Sequence, residues 1–65
     1  MEPRTLIALE RAYLSLQEII ASLYAEAENA LFEENNNDAS LLFAQADRLY
    51  VVAENIESII AEQRE

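Results

Sequence analysis

Thirteen acids and a run of three asparagines are the residues of this chain with any claim to chemistry. In "LFEENNNDASLLF", Leu31 to Phe43, Glu33, Glu34 and Asp38 surround Asn35, Asn36 and Asn37, and carboxylate and amide oxygens are calcium ligands. The spacing is wrong for a calcium loop: there is no D-x-[DN]-x-[DN]-G pattern and no glycine to make its turn. Glu18, Glu26 and Glu54 could in principle hold metals between helices, as in ferritin-like bundles, but that chemistry needs inward-facing glutamates, usually with Glu-x-x-His. The chain has no histidine, and these glutamates fall on polar helix faces. With no cysteine either, thiolate sites, disulfides and most nucleophilic or acid-base catalysis are excluded. Tyr13, Tyr24 and Tyr50 have no base to activate them and read as packing residues with hydroxyls at the wet edge. No enzyme activity, metal or cofactor is expected.

The elements that carry these residues follow from periodicity. Leu6, Leu9, Tyr13, Leu16, Ile20, Leu23, Ala27 and Ala30 are separated alternately by three and four, the seam of a helix packed lengthwise on another. Ala12, Ile19, Tyr24 and Leu31 widen it, and Arg11, Ser15, Glu18, Ser22, Glu26 and Asn29 lie opposite. Ala39, Leu42, Ala46, Leu49, Ala53, Ile56 and Ile60 repeat the spacing, broadened by Val52 and Ile59, with Asp47, Glu54 and Ser58 opposite. The spacing predicts an all-α, antiparallel two-helix hairpin, coiled-coil-like, as one domain over residues 1–65: helix 1 about 3–34, a turn about 35–38 and helix 2 about 39–63. Pro3 suits a first helical turn, because its missing N–H would have no partner there. One of the three asparagines is expected to end helix 1 in the left-handed conformation, and Asp38 to cap helix 2.

Length and charge bound the function classes. A core of 65 residues is marginal without a disulfide, a metal or association with another chain, and here only association remains. A net charge of -9 disfavours nucleic-acid phosphate and anionic membrane partners, and no apolar run approaches the ~20 residues of a membrane span. The start "MEPR" lacks the basic and apolar regions of a secretion signal, so a cytoplasmic location is expected.

Both helices carry apolar residues off the seam. Ile7 and Leu14 are seven apart with Phe32 on the same side; Phe43 and Tyr50 are likewise seven apart, with Val51 on another side. Repetition at heptad spacing makes a ridge, and an exposed apolar ridge marks an interface. Ile7, Leu14, Phe32, Phe43, Tyr50 and Val51 are therefore the candidate partner-binding residues, facing either a second copy or a different protein.

Two segments resemble known families. "AQADRLY", Ala44 to Tyr50, is similar to the second helix of the Rop-type RNA-binding hairpin dimers, although the four arginines are not clustered into the basic face that RNA requires. "FEENN", Phe32 to Asn36, and "AENIESII", Ala53 to Ile60, resemble the type III secretion needle co-chaperones, the YscE/SsaE-like helical hairpins, with a shorter loop, no lysine and more acid here. That resemblance implies a cytoplasmic, non-enzymatic co-chaperone that pairs with a tetratricopeptide (TPR)-like chaperone to hold the needle subunit, its secretion substrate. The alternative is a homodimeric four-helix-bundle regulator, an acidic nucleic-acid mimic or inhibitor.

Overall fold

A computed structural model describes residues 1–64. Helix α1 runs from Pro3 to Phe32 and α2 from Asn36 to Arg64, folded back on each other as an antiparallel hairpin of 47 × 14 × 13 Å. Pro3 opens α1, and the Glu2 carbonyl accepts from the Thr5 and Leu6 N–H groups at 3.0 and 3.1 Å. All fifteen seam positions inferred from the three–four spacing are buried or half-buried. Ala12, Ile19, Leu31, Val52 and Ile59, expected to broaden the seam, are instead exposed.

The turn differs from expectation in a chemically specific way. The left-handed residue is Glu34, at φ 63°, and not an asparagine. The Asn35 N–H donates to the Ala30 carbonyl at 2.8 Å and the Glu34 N–H to that of Leu31 at 3.0 Å, the two bonds of a Schellman stop. Asn35 then caps α2 in place of Asp38. Its side-chain oxygen accepts from the Asp38 N–H at 3.3 Å, and its amide donates back to the Asp38 carboxylate at 2.7 Å. Asparagine serves either as a left-handed residue or as an N-cap, and the reciprocal bond to an acid three residues on decides for the cap. The connection therefore occupies Glu33 to Asn35, a few residues earlier than the periodicity predicts.

A side chain in the left-handed region costs on the order of 1 kcal/mol that glycine does not incur. Glu34→Gly is accordingly expected to raise the thermal midpoint by roughly 4–8 °C in far-UV circular dichroism melts. An unchanged or lowered midpoint would show that Glu34 is not held at positive φ.

Burial is unequal between the two seam rows. Among the described residues every buried one, Ile20, Ala27, Ala39, Ala46, Ala53 and Ile60, belongs to the row containing Leu6 and Tyr13 on α1 and its counterpart on α2. The other row, Leu9, Leu16, Leu23 and Ala30 with Leu42, Leu49 and Ile56, is only half-buried throughout. Four of the six buried residues are alanines, so the helices approach closely while enclosing little volume. The hairpin exposes 5030 Å² for a mass of 7.4 kDa, where a folded chain of this size ordinarily exposes about 4,200 Å².

Candidate functional site

The two long sides of the hairpin are chemically unlike. On one, polar contacts cross between the helices. The Tyr13 hydroxyl donates to Glu57 Oε2 at 2.5 Å and accepts from the Gln17 amide at 2.8 Å. The Tyr24 hydroxyl donates to Asp47 Oδ1 at 2.7 Å, and Arg64 pairs with Glu10 at 2.7 Å near the chain ends. Tyr24 also packs on Phe43, with ring centroids 6.0 Å apart and planes at 48°, which leaves Phe43 half-buried. These side chains roof the buried seam row and set the antiparallel register. An open groove of about 410 Å³ lies at the end near the termini, lined by Glu10, Tyr13, Leu14, Glu57, Ile60 and Arg64. Among the described residues no group of three or more acids is placed to hold a metal ion, and no helix is long and apolar enough to cross a membrane.

Both tyrosine hydroxyls are held above the ordinary phenol value of 10.0, Tyr13 chiefly because it donates to the Glu57 carboxylate and Tyr24 because it donates to Asp47. Partial loss of water acts in the same direction. A raised folded-state value means that the folded chain holds the proton more tightly than the unfolded one. Any stability from these bonds is complete below pH 10 and is lost as pH rises through the raised folded values. Thermal midpoints are thus expected to fall above pH 10, and to fall less steeply when Tyr13 and Tyr24 are both changed to Phe. Equal slopes for the two proteins would show that the carboxylate bonds do not form in solution.

The other side has no such cover. At 3.6 residues per turn, Ala12 and Ile19 on α1 and Val52 and Ile59 on α2 flank the half-buried seam row, away from the tyrosine contacts. The register set by Tyr13–Glu57 and Tyr24–Asp47 brings Ile19 level with Val52 and Ala12 level with Ile59. Ile19 is 47% exposed, Val52 45% and Ile59 39%, fractions large enough to leave more than a third of each side chain in water. Ala8, Ser15 and Ser22 border them on α1, which carries no charge there, whereas on α2 the bordering row is Arg48, Asn55 and Glu62, with both charges exposed at its outer margin. No family model, curated protein or solved structure matches the chain. The chemistry of its own surfaces therefore carries the functional reading.

The residues singled out by sequence do not form one ridge. Ile7 and Leu14 are exposed on the outer edge of α1 near the termini, and Leu14 lines the groove there. Tyr50, half exposed, lies on α2 beside Tyr13 and Gln17, about 10 Å nearer the loop than Leu14. Phe43 is tucked against Tyr24, and Val51 is exposed about a quarter-turn further round α2 than Tyr50. Phe32, 93% exposed, stands at the end of α1 with almost no cover. Spacing alone places Ile19, Val52 and Ile59 of this open face in the seam. The signal that separates it is the absence of charge from Ala8, Ala12, Ser15, Ile19 and Ser22, five consecutive positions on that side of α1.

Proposed function

We propose that this chain is a non-catalytic protein-binding hairpin, a small co-chaperone or adaptor acting in the cytoplasm in the manner of the type III secretion needle co-chaperones it resembles. One observation supports this reading above the others: a half-buried leucine row flanked by Ile19, Val52 and Ile59 and uncharged along α1, on a hairpin that exposes more surface than its mass warrants. Burying apolar area is worth about 25 cal/mol per Å², so a helical partner laid along this face supplies what the alanine-rich core does not. A TPR-like chaperone presents such helices, and the secretion substrate would be held in the joint assembly.

Affinity capture from the native cell, followed by identification of the bound chains, tests the reading. The natural chain is expected to retain a TPR-like chaperone together with a secretion substrate, and the Ile19→Glu, Val52→Glu double variant to lose both. Finding no such chaperone, or equal capture by the double variant, overturns it.

A further inference from the structure

We infer that the open face with Ile19, Val52 and Ile59 is also where a second copy of this chain docks, the two hairpins lying lengthwise with their loops at opposite ends as a four-helix bundle. The inference rests on the reading above that this face is a protein interface, and it specifies the occupant and its orientation.

Area is the first argument. A face 47 Å long and 14 Å wide amounts to roughly 650 Å² per copy, or about 1,300 Å² in a pair, within the range of stable protein interfaces. The excess exposure of this chain over a compact one, roughly 800 Å², is of the same size. Composition is the second. A two-fold axis crossing the face near mid-length sets Ile19 and Ala12 against the same helix of the other copy, and Val52 and Ile59 likewise. Small and large side chains then interlock at the centre, and the charges of Arg48 and Glu62 stay at the outer margin of α2. Leucines of the half-buried seam row complete four apolar helix faces, the arrangement of a bundle core.

Charge fixes the orientation. The loop half of the hairpin carries Glu26, Glu28, Glu33, Glu34, Asp38 and Asp47 against Arg48 alone, whereas at the end near the termini Glu2, Glu10, Glu54, Glu57 and Glu62 are offset by Arg4, Arg11 and Arg64, which leaves the loop half the more acidic. Loops side by side would superpose two strongly acidic ends. Loops apart separate those ends by several Debye lengths and set each against the less acidic, arginine-containing end of the other copy, which lowers the repulsion.

Sedimentation equilibrium from low to several hundred micromolar is expected to give the mass of a dimer for the natural chain. Ile19→Glu with Val52→Glu places four carboxylates across the interface and is expected to weaken association by about 100-fold or more. Leu14→Ser with Tyr50→Ser, on the tyrosine side, is expected to leave the mass unchanged. A spin label at Glu33→Cys, in a chain that has no other cysteine, reads the orientation and does not depend on the charged variant folding. Loops apart give a label-to-label distance of about 40–50 Å at 1.5 Å per residue. A monomer at every concentration, a dimer indifferent to the charged variant, or labels within about 20 Å of each other each overturn the inference. A monomer that still captures a TPR-like chaperone through Ile19 and Val52 refutes the dimer alone; a dimer with no such partner refutes the proposed function alone.

Discussion

Ile20→Ala is expected to cost about 3 kcal/mol and to lower the thermal midpoint by roughly 12–24 °C, the largest effect of any single truncation in the seam. Ile20 is 5% exposed, and it and Ile60 are the two large side chains among the six buried residues, the other four being alanines. Little else can collapse into the space, because alanine offers no rotamer to rearrange. A chain of this length has a net stability of roughly 3–10 kcal/mol, so the loss consumes a large share of it. Far-UV circular dichroism melts of both proteins at the same concentration measure it. Ile19→Ala, one residue earlier and on the open face, is the informative control. Its cost is expected to appear only at concentrations where the face is covered, since stability gained by association scales with the concentration of the partner. Equal, concentration-independent losses for the two variants would mean that the rows are not unequally buried.

That inequality marks where sequence reasoning stopped. The three–four spacing treats the two seam positions of each heptad alike, and it placed all fifteen of them in contact between the helices. Which row is sealed depends on what stands on either side. On one side Tyr24, Phe43, Gln17 and the Glu10–Arg64 pair reach over the seam, while on the other Ala12 and Val52 are too short to do so. Flank size is visible in the sequence only after the register between helices is known, and the register comes from hydrogen bonds such as Tyr13–Glu57 that no single-helix pattern contains. The same holds at the turn. A run of three asparagines offers equivalent stops and caps, and the choice of Asn35 as cap follows from its bond to Asp38, which in turn pushes the left-handed conformation onto Glu34. By contrast the exposure of Ile7, Leu14, Phe32, Tyr50 and Val51 was legible, because each falls well off the seam on its own helix.

Phe43 and Tyr50 are seven residues apart on one helix, yet their replacements by serine are expected to differ sharply. Phe→Ala costs about 3–5 kcal/mol when the ring is fully buried, so a half-buried ring packed on Tyr24 is expected to lose about 2 kcal/mol as serine, lowering the midpoint by roughly 8–16 °C. Tyr50 is half exposed, and Tyr50→Ser is expected to stay within about 0.5 kcal/mol of the natural chain. Denaturant melts give both values, and similar losses would mean that Tyr50 is also roofing the seam. The distinction governs how binding data on this side must be read. Weaker partner capture by Phe43→Ser follows from a loosened hairpin whichever face the partner uses, whereas Tyr50→Ser changes the tyrosine side while leaving the fold intact. If Tyr50→Ser retains the partner and Ile19→Glu with Val52→Glu loses it, the leucine row and its apolar flank are the binding surface, and Phe43, packed on Tyr24, closes the hairpin from behind.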